Sequence, residues 1–333
     1  MGKQNTTMDN QKSISKTIYV LKALAIICVV SAHCDSYFYP VAESLRALLG
    51  TVGVPVFLMC SGYYCRLEEA RSIFWRKKLK HIVVPWLLWG VLTYIQVTLL
   101  GHQGLSLADA LRWIVGYKTW LYYVPVLLVC FVVYRSNLKD WWLYLNIAVS
   151  LCSWLLTYLG IFKITSFMTL YQNPLNFSMF FALGILLKRM DLSKAASCSM
   201  KWKLAIVVTC VVIAVCYAMG DSVGYWSSLW SIPFELLMTA GLFFAASALR
   251  NMRFAYEIGK ETYFIYFVHM TIGNIVANKL LWERIHNMSG VAECLLVVIK
   301  PTMTVLICSG MYVMVKWLAE KCKCGKFLWM IGV

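Results

Sequence analysis

Long apolar runs alternate with short polar segments along the whole chain. Most of these runs approach the roughly 20 residues that an α-helix needs to cross a bilayer. The ten runs occupy residues 17–37, 48–65, 82–101, 119–134, 141–159, 174–188, 202–219, 228–249, 261–282 and 291–318. The pattern predicts an all-α fold, a polytopic transmembrane helix bundle of about ten spans. The fourth and sixth runs are short enough to be partly re-entrant.

The polar ends of the chain divide it into three parts. Residues 1–16 form a polar tail, 17–318 a single transmembrane domain and 319–333 a C-terminal tail. The chain is 61% hydrophobic and only 14% charged, whereas soluble domains are about 25% charged. Composition therefore agrees with a multi-pass membrane protein.

The net charge of +16 can be interpreted only after the Lys and Arg residues are assigned to the loops between the spans. Of the 31 Lys and Arg residues, 23 fall on one side of the alternating spans and six on the other, when cations in the first or last four residues of a span are counted with the adjoining loop. Lys22 and Lys300 lie deeper within spans. Because excess Lys and Arg face the cytoplasm, both termini are predicted to be cytoplasmic. The excess of positive charge is thus explained by the orientation of the chain in the membrane. It does not require a nucleic-acid partner, and none is predicted.

The cysteines do not predict a metal site. The chain has 13, scattered mostly singly along apolar runs, as expected of small buried side chains. Cys322 and Cys324 form one CxC pair, but a tetrahedral zinc site needs further ligands. No metal cofactor is predicted.

The first span, "YVLKALAIICVVSAHCDSYF", contains two costly residues, Lys22 and His33. Eleven helical residues separate them by about 16 Å along the axis and about 20° around it, so both lie on one stripe. Ionisable groups within spans are functional candidates. The alternative is that Lys22 only extends to the headgroups. Asp35 can orient His33 only if the helix ends there, because residues i and i+2 point apart.

A basic segment, residues 66–85, follows the second span. It contains Arg66, Arg71, Arg76, Lys77, Lys78, Lys80 and His81. Such a cluster can bind lipid headgroups or the phosphates of a polyanionic cofactor, and the residues leave both open.

The ninth span, "GKETYFIYFVHMTI", contains another intramembrane histidine. Tyr263, Tyr266 and His269 recur at i, i+3 and i+6, so they occupy neighbouring positions on one side of a helix. His269 is a functional candidate, and a structural hydrogen bond between helices is the alternative.

Four motifs in this order resemble the bacterial acyltransferase-3 membrane proteins over nearly the whole chain. The first is the (Arg/Lys)-x10-His pattern at Lys22 and His33. The second is "VPVFLMCSGYY", with Phe-x3-Ser-Gly at Phe57, Ser61 and Gly62. The third is "RKKLKHIVVP" and the fourth is "GKETYFIYFVHMTI".

The chain departs from the family pattern at some of these positions. Lys22 stands where Arg is commoner, Lys77 and Lys80 occupy the positions of paired arginines, and Thr262 replaces Ser. Lysine keeps the charge and loses the bidentate fork that suits phosphate. These changes concern donor binding rather than family membership.

The resemblance implies a membrane O-acyltransferase of the bacterial inner membrane. It would move an acyl group, usually acetyl, from cytoplasmic acetyl-CoA to a hydroxyl of an extracytoplasmic or lipid-linked glycan. Lys22, Arg76, Lys77 and Lys80 would hold the CoA phosphates, and His33 would be the general base. An acyl-enzyme route is the other mechanism.

The resemblance also implies polar groups along the path, and Ser61, Tyr266 and His269 are the candidates. From the spans and buried polar residues alone, a transporter or flippase of a glycan or lipid-linked precursor is the alternative function. It is weakened because no inverted repeat with paired broken helices is recognisable. Besides these substrates, membrane lipids are the predicted partners.

Overall fold

The computed structural model describes residues 2–34, 37–66, 68–101, 104–117, 119–136, 139–159, 161, 173–190, 192–223, 231–273, 275 and 290–333. These ranges contain helices and no β-strand. The α-helices are α1 Gly2–Ala32, α2 Pro40–Tyr64, α3 Arg71–Lys78, α4 Val84–Leu100, α5 Leu107–Val115, α6 Tyr123–Ser136, α7 Asp140–Tyr158, α8 Pro174–Arg189, α9 Ser193–Ala196, α10 Met200–Ser222, α11 Ser231–Ala248, α12 Arg253–Val268 and α13 Val291–Lys321. Two π-helical segments, Leu79–Val83 and His269–Gly273, continue α3 and α12, and 3₁₀ turns occupy Trp120–Tyr122 and Gly325–Ile331.

Several of these helices are long and apolar enough to cross a membrane. They are Ser13–Ala32, Pro40–Tyr64, Arg71–Leu100, Met200–Ser222 and Val291–Lys321. Leu107–Val115 and Trp120–Arg135, bent by 59°, make a sixth if they form one broken span. The all-helical class and the multi-pass character are thus confirmed. The count of about ten and the cytoplasmic termini stay predictions, and the eighth and ninth predicted spans lie partly outside the described residues.

Two of the long helices contain an internal proline and continue through it. Pro55 lies inside the continuous helix α2. Pro301 lies inside α13 in the same way. Membrane helices tolerate proline because neighbouring helices and local adjustments satisfy the freed backbone groups.

The chain forms two compact units, and the first comprises Met1–Cys60 and Leu187–Gly310. In this unit α1 packs against α11 and α12. The Tyr19 and Tyr256 rings lie 5.2 Å apart near the start of α12, and His33 meets His269 just beyond its end. Therefore α1 and α12 run parallel, and equal helical rise brings the two histidines to the same level.

The second unit comprises Ser61–Leu186 and Met311–Val333. Here α4 packs against α5 and the C-terminal 3₁₀ turn, where the Trp89 indole N–H donates to the carbonyl of Ile331 over 3.1 Å. In the interior of this unit the Tyr134 and Phe181 rings stack at 5.2 Å. The basic segment belongs to this unit.

Candidate functional site

His33 lies immediately after the last residue of α1. Its backbone N–H donates to the carbonyl of Val30 over 3.0 Å, which is the tighter bonding pattern of a helix end. The side chain is half-buried. Lys22 lies within α1, whereas His33 lies in the turn that closes the helix, and their shared stripe stays a prediction.

A partly buried ion pair between Arg46 and Glu43 holds this turn in place. Arg46 of α2 donates one guanidinium N–H to the carbonyl of Ala32 over 2.9 Å and pairs with Glu43. Glu43 also accepts the backbone N–H of Tyr37 over 3.0 Å. Because Ala32 precedes His33, the Arg46–Glu43 pair determines where the His33 backbone sits.

The imidazole rings of His33 and His269 are neighbours, with centroids 5.3 Å apart and planes inclined at 45°. His269 is fully buried and begins the π-helical segment after α12. Such segments inside helices are frequent at functional sites. Both histidines are predicted from the sequence as functional candidates. The contact between them depends on the packing of α1 against α12, which the sequence pattern does not predict.

The surroundings of His269 define its tautomer. Its Nδ1 lies 2.8 Å from the carbonyl oxygen of Tyr266 and 3.2 Å from that of Ile265. Carbonyl oxygens only accept, so Nδ1 carries the hydrogen and the neutral ring keeps a lone pair on Nε2. The Tyr266 ring lies 6.2 Å from the His269 ring. This pair of imidazoles can therefore hold and pass one proton, since two adjacent imidazolium charges would repel.

Lys22 lies within α1, about 16 Å before His33 along the axis by helical rise. Its side chain is half-buried, and Nζ lies 5.2 Å from the centre of the Tyr19 ring. A cation over an aromatic face is stabilised without a carboxylate. The Lys22 ammonium group is thus stabilised by the Tyr19 ring in a way that is compatible with binding an anionic ligand.

Ser61 lies in the second unit, where its hydroxyl is 3.3 Å from the hydroxyl of Tyr123. The next residue, Gly62, is in close contact with α8, because a Cβ there would lie 2.2 Å from the carbonyl oxygen of Phe181. The Ser-Gly pattern therefore combines a polar contact with a close helix approach.

The basic segment contains cations in different environments. Arg76 is exposed, and Lys77 donates to Glu69 over 2.7 Å. This hydrogen bond holds the pKa of the Glu69 carboxyl below its usual value. Lys80 is exposed, with Nζ 4.8 Å from the Trp329 ring centre, so Lys80 and Arg76 present their charge to solvent.

Other predicted and overlooked residues complete the inventory. Asp35 lies outside the described residues. Glu235, near the start of α11, is 1% exposed, and its carboxyl oxygens have no hydrogen-bond partner among the described residues. Lys300 lies 5.3 Å from the Tyr37 ring centre. The part of the chain that the structure describes has no group of three or more metal-ligating side chains.

Together these features define a helical, multi-pass membrane protein with a histidine pair at the end of a span. A family model of the acyltransferase-3 type, described as an acyltransferase domain, matches residues 16–313. The chain therefore belongs to the acyltransferase-3 family. Searches of curated proteins and of solved structures found no significant match.

Proposed function

We propose that this acyltransferase moves an acetyl group from acetyl-CoA to a hydroxyl of an extracytoplasmic or lipid-linked glycan, in the bacterial inner membrane. The observation that carries the proposal is the contact between His33 and His269, 5.3 Å apart between ring centres, in a chain of the acyltransferase-3 family. A histidine near neutral pH is suited to removing a proton from a hydroxyl.

In the proposed mechanism His33 is the general base. Its imidazole accepts the proton of the acceptor hydroxyl while the oxygen attacks the thioester carbon. The carbon–sulfur bond then breaks, and the leaving CoA sulfur takes the proton from the imidazolium. The products are an O-acetyl ester and CoA with a free thiol, and His33 returns to its neutral form.

His269 supports this cycle through its fixed tautomer. With Nδ1–H donated to Tyr266, its Nε2 lone pair can accept a hydrogen bond from an N–H of the neighbouring His33 ring. Such a bond leaves the other His33 nitrogen as the acceptor for the substrate proton. Asp35 is proposed to orient His33 as well.

The donor phosphates are proposed to contact cationic side chains. Arg76 and Lys80 are exposed, and Lys77 exchanges its contact with Glu69 for a phosphate at little cost, because exposed ion pairs contribute little to stability. Lys22 is assigned to the same donor. Ser61 and Tyr266 are proposed to line the acyl path.

The proposal is tested by mass spectrometry of surface glycan from a host that lacks the gene and is complemented with defined variants. The wild-type chain should restore an acetyl mass increment. His33→Gln should restore none while reaching the membrane in equal amount. A glycan that is absent altogether without the gene would contradict acetyl transfer and favour transport. Full acetylation by His33→Gln would contradict the role of His33.

A further inference from the structure

An open cleft of about 600 Å³ lies between α3 and α6 in the second unit. It is lined by Arg71, Trp75, Val132 and Arg135. On α3, Arg71, Trp75 and Lys78 recur at i, i+4 and i+7 and so share one face. Arg76 and Lys77 lie about 120–140° away around the helix. The cleft is therefore distinct from the cations proposed for the acyl donor.

The cleft is built for an anion. Arg71 and Arg135 contribute two guanidinium groups, and Ala70, the N-cap residue that precedes α3, provides no side-chain cap. Uncapped N–H groups at a helix start attract anions. Lys78 lies close by, with Nζ 4.2 Å from the centre of the Phe131 ring, and adds to the positive potential.

Arg135 is held in place before any ligand binds. It donates an N–H to the carbonyl of Glu69, and its guanidinium carbon lies 5.3 Å from the centre of the Phe74 ring. A planar guanidinium positioned in this way loses little freedom when it also contacts phosphate.

One wall of the cleft is apolar and exposed. Val132 is 59% exposed, and Val129 one turn earlier on α6 is 42% exposed. In a membrane-spanning chain such residues face lipid chains, and an indole such as Trp75 favours the headgroup level. The cleft therefore has cationic groups and a lipid-facing wall side by side.

We propose that this cleft binds the phosphate of an anionic phospholipid, whose acyl chains lie along Val129 and Val132. The site is separate from the proposed acetyl transfer and requires no assumption about it. Phosphate of the acyl donor has the same chemistry, so the experiment must distinguish the two sources.

The test is native mass spectrometry of the purified full chain in detergent, titrated with phosphatidylglycerol and, separately, with phosphatidylcholine. We expect tighter binding of phosphatidylglycerol by the wild-type chain. Arg71→Gln should weaken it by at least about tenfold, the change in Kd that a loss of about 1.4 kcal/mol produces, since hydrogen bonds to charged groups are among the stronger ones. Arg66→Gln removes the same charge from the same segment outside the cleft and should change binding less than twofold.

Three results would overturn the proposal. The first is equal affinity of the wild-type chain for both lipids, and the second is equal weakening by Arg71→Gln and Arg66→Gln. The third is displacement of phosphatidylglycerol by free CoA, with CoA binding itself lost in Arg71→Gln, which would assign the cleft to the donor. Because Arg71 is exposed, its variant is expected to fold even where an Arg135 variant does not.

Discussion

At the scale of single residues, the chemistry depends on two histidines and the groups that hold them. His269 is fixed by its own helix, because its Nδ1–H donates to a carbonyl three residues earlier. His33 lies in a turn after α1 and depends on a neighbour. That neighbour is Arg46, which contacts the carbonyl of Ala32. Arg46 is thus a positioning residue for His33.

Replacing Arg46 should reduce turnover without removing the protein from the membrane. In Arg46→Gln the hydrogen bond to Ala32 and the pair with Glu43 are lost, so we expect kcat for acetyl transfer to fall about 10- to 100-fold, since a charged hydrogen bond contributes about 1.5–3 kcal/mol. The KM for acetyl-CoA should stay unchanged. Kinetics on membranes with matched protein levels measure both constants.

Arg112 offers the matched control for this substitution. It pairs with Asp109 three residues away over 3.4 Å, and its side chain is 62% exposed. An exposed pair of this kind contributes at most about 1 kcal/mol, so Arg112→Gln should leave kcat unchanged. Equal losses in the two variants would contradict a positioning role for Arg46.

At the scale of helices, the parallel contact of α1 and α12 sets the level of the histidine pair. The helices approach closely at Gly259, where a Cβ would lie 1.9 Å from the carbonyl oxygen of Tyr19. Small residues at such contacts let backbones approach. Gly259 therefore allows the close packing of α1 and α12 that brings His33 and His269 together beyond the end of α12.

Gly259→Ala should separate α1 from α12 and lower the thermal stability of the protein. We expect a loss on the order of 1–3 kcal/mol, the usual cost of overpacking, with acetyl transfer lost in parallel.

Gly310→Ala is the control, because a Cβ at that helical position meets nothing within 4 Å. It should be neutral or stabilising by up to about 1 kcal/mol. Thermal unfolding monitored by fluorescence-detected size exclusion compares the two, and an unchanged melting temperature in Gly259→Ala would contradict the close contact.

The sequence patterns predict individual helices and candidate residues, but they do not predict the contacts between distant segments. Long apolar runs identify α1, α2 and α13 because the cost of placing polar residues in a bilayer is local to each segment. His33 and His269 stand out for the same reason. Their mutual contact depends on packing between distant segments, and Arg46 resembles any loop cation until its bond to Ala32 is seen.

At the scale of the whole molecule, the distribution of Lys and Arg predicts the orientation of the chain. The C-terminal end contains Cys322 and Cys324, both exposed. If both termini are cytoplasmic, a membrane-impermeant maleimide should label these cysteines in inside-out vesicles and leave them unlabelled in intact cells.

The same labelling experiment has an internal control and a contradicting outcome. Because other cysteines such as Cys198 are also accessible, the label is located by peptide mass spectrometry, and replacing both Cys322 and Cys324 by Ser should remove it from the C-terminal peptide. Labelling of Cys322 or Cys324 in intact cells would place the C-terminus outside and contradict the prediction that both termini are cytoplasmic.

The central claim is that His33 removes the proton of the acceptor hydroxyl in an acetyl transfer. The most direct measurement uses purified protein in vesicles, with acetyl-CoA labelled in the acetyl group and isolated glycan as acceptor. The wild-type chain should transfer label, and His33→Gln should reduce kcat about 10²–10⁴-fold, the typical contribution of a general base, with little change in the KM for acetyl-CoA. Transfer by His33→Gln at the wild-type rate would contradict the account.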